Sequence, residues 1–153
     1  MKKQTIKKSI DISAPKEKVW DVMLSDKFTR IWYAEFSEGS HAETDWKIGS
    51  NALFKDISES GLVGKVIVNK PYEVISVEYK GIVLAGIEDY KSEGANNVKR
   101  GLETYRLKEK EGVTHLSIEC DMSEEYFDSM SSDWEKALKK VKELSEQNEK
   151  NNI

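Results

Sequence analysis

The sequence carries few of the residues used in redox, metal or covalent chemistry. Among its 153 residues there is one cysteine, so Cys120 has no partner for an internal disulfide and no companions for a multi-cysteine zinc site. Prolines number two and glycines nine, and no linker, internal repeat or low-complexity segment stands out. No apolar run approaches the length of a membrane span, and the lysines at the start (Lys2, Lys3, Lys7, Lys8) are not followed by a signal-peptide core, so the chain reads as cytoplasmic. Neither sign of charge dominates. The 24 basic and 28 acidic residues, a net charge of −4, are mixed along the chain and offer no basic surface to nucleic acid or anionic lipid.

What the chain does have is periodicity. In residues 123–148 the larger apolar side chains fall at Phe127, Met130, Trp134, Ala137, Leu138, Val141 and Leu144, in steps of three and four. That spacing defines one face of a helix. Ser132 and Glu135 stand at capping-box spacing, so a firm helix is expected to start at Ser132, with residues 123–130 an earlier turn or its continuation. A single stripe cannot be stable alone, and this helix needs a surface to cover.

The rest of the chain supplies that surface. Residues 4–13 alternate as a half-buried strand. A helix is expected after Pro15, with Ser13 as a possible cap and Val19, Trp20, Met23 and Leu24 as its stripe, followed by a short helical segment over residues 26–32. A polar stretch then includes a weak strand near residues 41–44. Strands follow over residues 52–57, 62–69 and 72–80, and residues 81–91 and 98–108 read as a longer pair joined by a turn at 92–97. Residues 113–120 close the sheet. The reading is one α+β domain over residues 1–148 with a frayed polar tail at 149–153.

Several local patterns extend this reading. They are Ile10-Asp11-Ile12-Ser13-Ala14-Pro15 followed by Val19-Trp20, then Trp46-Lys47-Ile48-Gly49-Ser50, Gly64-Lys65-Val66 leading to Lys70-Pro71-Tyr72, Thr104-Tyr105-Arg106-Leu107, and Asp133-Trp134. In order and spacing they resemble the START-like (SRPBCC, birch-pollen-allergen-like) superfamily. Within it the chain looks most like the heat-shock protein 90 ATPase activator homologues. The resemblance implies a helix-grip fold, a curved antiparallel β-sheet wrapped around a long C-terminal helix, with two short helices after the first strand. Gly49-Ser50, Lys70-Pro71 and Asp133-Trp134 stand where family members often have Gly-Gly, Pro-Pro and Gly-Trp. The eukaryotic activator that this domain resembles also uses a separate amino-terminal domain. By this resemblance the chain is expected to correspond to a lone carboxy-terminal-type module, and chaperone stimulation does not follow from the resemblance.

Helix-grip proteins commonly hold an apolar cavity between sheet and helix, and strand alternation nominates its lining. Setting Tyr105 inward brings Glu103 to the same face. Ile75, Val77 and Tyr79 form another inward set, as do Leu116 and Ile118, while Trp46, Phe54, Met130, Trp134 and Leu138 complete the expected wall. Such a space suits a hydrophobic or amphipathic small molecule. The same residues would equally serve as a filled core. Glu103 is the chemical oddity, because a carboxylate facing an apolar interior must be paired, hydrated or protonated. It either orients a ligand beside Tyr105 or Tyr79, or is turned away by a bulge that shifts the register, or sits near the rim and pairs with Arg100 or Arg106.

Catalytic signals are weak. His41 falls in a loop and His115 on an outward face, and neither has a nucleophile at a recognisable spacing. Cys120 lies between Glu119 and Asp121, a setting that disfavours a thiolate. No metal-binding or phosphate-cradling motif is present, so no cofactor is expected. Three functions stay open: non-enzymatic binding of a hydrophobic small molecule, a protein-interaction module with a chaperone partner, and a cavity enzyme such as a polyketide cyclase or dehydratase.

Overall fold

The computed structural model describes residues 3–147. The tail expected at 149–153 and the last helical position expected at Asn148 lie outside the described residues. Strand β1 (Lys3–Ile12) leads into α1 (Lys16–Leu24) and α2 (Asp26–Trp32), and a single 3-10 turn (Tyr33–Glu35) follows. Next come β2 (His41–Glu43), β3 (Asn51–Lys55), β4 (Gly61–Lys70), β5 (Val74–Leu84) and β6 (Ile87–Asp89). A short helix, α3 (Glu93–Val98), precedes β7 (Leu102–Lys110) and β8 (Val113–Ser123). A second 3-10 turn (Glu124–Tyr126) runs directly into the long helix α4 (Phe127–Glu146).

All pairings are antiparallel, in the order β1-β8-β7-β5-β4-β3-β2, with β6 folded back on β5. The first and last strands are therefore neighbours, and α1 and α2 carry the chain from the β1 edge to the β2 edge. Two register shifts in β4, at Val63/Gly64 and Val66/Val68, bend the sheet. Gly64 allows strands β4 and β5 to approach at this bend, because a Cβ there would stand 2.5 Å from Val77 Cγ1 and 3.0 Å from the Glu78 carbonyl. The β7–β8 hairpin turns on Glu111 (φ 52°) and Gly112 (φ 80°), the two positive φ values that a tight twisted hairpin requires.

The concave face of the sheet holds the core. Ile6 and Ile12 from β1, Leu116 and Ile118 from β8, and Ile75 and Val77 from β5 are buried. Against them lie Ala137, Leu138, Val141 and Leu144 of α4 and Val19, Val22 and Met23 of α1. The Trp32 indole N–H donates to the Val22 carbonyl at 2.9 Å, which ties α2 to α1.

The structure corrects four expectations. The long helix begins at Phe127, not Ser132, and Ser132 lies within it; the 3-10 turn feeds the helix, so no side-chain cap is used. Residues 72–80 and 81–91 are not two strands, since β5 runs unbroken through Gly81 to Leu84 and pairs with β7. The stretch read as a turn at 92–97 is α3, whose N-cap Ser92 accepts from the Ala95 amide at 3.2 Å. At α1, Ser13 does not cap: Pro15 takes that position in extended conformation, and the Ser13 amide donates to Glu146 at 2.7 Å.

Candidate functional site

Strand register assembles the chemistry. Glu103 on β7 sits between Val77 of β5 and Cys120 of β8, and Tyr105, two residues on, points to the same face. The half-buried Glu103 accepts hydrogen bonds from two phenols, Tyr79 on Oε1 and Tyr105 on Oε2. The Cys120 sulfur lies 3.8 Å from Glu103 Oε1 and 3.6 Å from the Tyr79 hydroxyl. Tyr79, Tyr105 and Cys120 are all buried.

Burial sets the protonation of the phenols and the thiol in this cluster. Burial pushes the Tyr79 phenol well above its ordinary value, and the neighbouring Cys120 and Glu103 push it further. Burial and then Glu103 do the same to Tyr105. Both phenols stay neutral at neutral pH and donate. Burial, then Glu103, also raises the Cys120 thiol, so it is a packed thiol and not an activated nucleophile. A third phenol, Tyr33, is raised by burial first and Glu103 second, and its buried hydroxyl has no partner. The buried Trp134 indole N–H has no partner either.

In front of this cluster lies a cavity of about 200 Å³, room for roughly seven waters at liquid density. Trp32, Tyr33 and Phe36 form one wall, Phe54 and Leu62 another, and Met130 and Trp134 of α4 close it over Glu103 and Tyr105. The aromatic rings pack edge to face, with Phe36 and Tyr105 centroids 5.0 and 5.8 Å from that of Trp134. The rim is polar: Ser37, Ser40, His41, Lys55, Asp56 and Ser60. A larger space of about 640 Å³ shares Met130, Leu62, Gly61, Ser60 and Asp56 with it and continues along Tyr79, Val98, Met122 and Tyr126.

The sequence-nominated residues separate into three groups. Phe54, Glu103, Tyr105, Met130 and Trp134 come together at the cavity, and Tyr79 stands behind Glu103 and borders the larger space. Ile75, Val77, Leu116, Ile118 and Leu138 do not line it; they belong to the packed core, because the second half of α4 lies directly on the sheet. Trp46 is also outside the cavity wall. Its indole N–H donates to the Leu24 carbonyl at 3.0 Å, its ring meets Phe54 at 6.2 Å between centroids, and it faces a surface groove with Trp20 and Tyr72. Neither Arg100 nor Arg106 pairs with Glu103; the two phenols take that place.

Sequence reasoning missed Trp32, Tyr33 and Phe36. Their signal was three aromatics within five residues just after a short amphipathic segment. His41 is at the rim, with Nε2 2.8 Å from Glu43 and Nδ1 3.1 Å from the Gly39 carbonyl. Among the described residues no cluster of three His, Cys, Asp or Glu side chains could hold a metal ion, and no helix is long and apolar enough to cross a membrane.

A curved antiparallel sheet that grips a long C-terminal helix, with short helices after its first strand, is a helix-grip architecture. Solved structures agree on the fold. The chain superposes on protein MLL2253 from Mesorhizobium loti with a TM-score of 0.71 at 16% identity, covering 92% of this chain and 96% of that one. It superposes on the Aha1 dimer from Colwellia psychrerythraea with a TM-score of 0.71 at 15% identity over 94% and 96%. For CalU16 from Micromonospora echinospora the TM-score is 0.66 at 17% identity over 94% and 77%. No family model and no curated protein matches the sequence.

Proposed function

We propose that this protein binds a hydrophobic or amphipathic small molecule between the sheet and the first half of α4, without turning it over. The observation that carries this reading is the aromatic cavity with a carboxylate at its base. Apolar walls with a few convergent polar groups are what a ligand site needs. Turnover is left out because Glu103 is the one carboxylate within the cavity's aromatic wall, while His41 at the rim is engaged by Glu43 and the Gly39 carbonyl. Native mass spectrometry of protein purified without denaturant, with solvent extraction of the same sample, tests the reading. A retained small molecule that is lost when Met130→Trp fills the cavity is the expected result. No retained mass and no binding of small aromatic probes would overturn it.

A second reading is a protein-interaction module of the heat-shock protein 90 ATPase activator type, favoured by the similarity to the Aha1 dimer. Pull-down with the cognate chaperone and an ATPase assay decide it; absence of both binding and stimulation at high concentration would end it.

A further inference from the structure

Glu103 is a carboxylate with no basic side chain paired to it. Among the described residues no Lys or Arg forms an ion pair with it. Its hydrogen bonds come from neutral donors, the Tyr79 and Tyr105 phenols and the weakly donating Cys120 thiol. These orient the carboxylate and leave its net charge uncompensated, which is a costly arrangement in a partly dehydrated site. A carboxylate also has about four acceptor positions, so two phenols do not saturate it.

The surroundings favour one sign of ligand. Trp32, Phe36, Tyr105 and Trp134 line the cavity and present aromatic rings, whose negative faces attract cations. At the rim Lys55 is neutralised by Glu43 at 3.0 Å and Glu59 at 2.8 Å. Asp56, beside it, is held below the usual carboxylate range by hydrogen bonds from Ser58 and Ser37. A positive guest gains a counter-ion and aromatic faces, whereas an anionic guest meets Glu103 with only the neutral Tyr33 hydroxyl and Trp134 indole N–H as unpartnered donors to set against the repulsion.

We propose that the cavity selects a small organic ammonium, an aromatic or aliphatic amine whose charged nitrogen meets Glu103 and whose apolar body fills the space beside Trp134 and Met130. This rests on the ligand-binding reading above and narrows it to one chemical class. The phenols of Tyr79 and Tyr105 then act as positioning groups that aim the carboxylate.

The test is a matched series of one shape and three charges: 2-phenylethylamine, 2-phenylethanol and 3-phenylpropionate, titrated by calorimetry at neutral pH. The amine should bind at least about tenfold more tightly than the alcohol, and the acid more weakly than both. In Glu103→Gln the preference for amine over alcohol should vanish. If that variant does not fold, the ranking in the unmodified protein decides alone. Equal or tighter binding of the alcohol or the acid overturns the proposal, as does a preference that survives in folded Glu103→Gln. If none of the three binds while the purified protein retains another molecule, the amine proposal falls and the binding reading stands. If none binds and nothing is retained, both fall.

Discussion

The two halves of α4 do different work on the same sheet. From Ala137 onward the helix buries Ala137, Leu138, Val141 and Leu144 directly against the strands and α1. Before that point Phe127 and Met130 are only half-buried, and Trp134 meets the sheet through the Tyr105 ring. One continuous amphipathic stripe therefore makes a packed core at one end and a cavity wall at the other. The difference lies in the sheet beneath: the packed half, tied by Lys142 to the Asp11 carbonyl, lies at the end of the sheet that carries Ile12, Leu116 and Leu107, whereas the other half stands over Glu103 and its phenols. A helix can press onto aliphatic side chains. A hydrogen-bonded carboxylate resists such burial because its remaining acceptor positions would be left unsatisfied.

Mutations should break this comparison in order of size. The largest effect falls at the packed end, where Leu138→Ala should cost about 2–5 kcal/mol in urea unfolding, since Leu138 is 3% exposed and belongs to the packed core. Folded Leu138→Ala should keep its ligand affinity.

Next comes pH, which acts at the cavity end. Tyr33, Tyr79 and Tyr105 are raised above the ordinary phenol value, burial being the main cause. Groups raised in this way hold their full contribution below the unfolded value and lose it as pH climbs. Stability should therefore fall above pH ~10, by about 1.4 kcal/mol per pH unit for each such phenol. Tyr105→Phe should reduce that slope by one phenol's share in denaturant melts at stepped pH, while Leu138→Ala should leave the slope unchanged.

The smallest effect on stability is expected at Met130, which borders both spaces and is half-buried. Met130→Ala should cost about 1 kcal/mol or less in unfolding yet weaken ligand binding about tenfold. The two halves would then be separated by opposite ratios of stability to affinity. Equal losses in both measures at Leu138 and Met130 would erase the distinction.

The same contrast explains what could be read from the sequence. The α4 stripe, the alternation of Leu116, Ile118 and Cys120, and the shared face of Glu103 and Tyr105 are consequences of fixed periods, and periods survive without coordinates. The start of α4 was less legible, because Ser132 and Glu135 imitate a cap inside a helix that a 3-10 turn had already begun. Helix α3 was invisible as a helix: six residues containing Gly94, Asn96 and Asn97 carry the composition of a turn. Which aromatic faces a void and which a core is not periodic at all. Trp46 and Trp32 look alike in the sequence, yet the indole of Trp46 is pinned to Leu24 outside the cavity while that of Trp32 is pinned to Val22 with its ring at the wall. That choice depends on partners far away in the chain: the Trp32 ring meets Trp134 of α4, whereas Trp46 meets Leu24 and Phe54.

The four tryptophans allow the central claim to be tested in one experiment. Trp32 and Trp134 line the cavity, while Trp20 and Trp46 face the groove outside it. Their indole N–H resonances can be followed by NMR as 2-phenylethylamine is titrated into the protein. The cavity account predicts saturable shifts at Trp134 and Trp32, largest at Trp134, with Trp20 and Trp46 unmoved. Shifts confined to Trp20 and Trp46, or none at any of the four with this probe and its uncharged analogue, would contradict it.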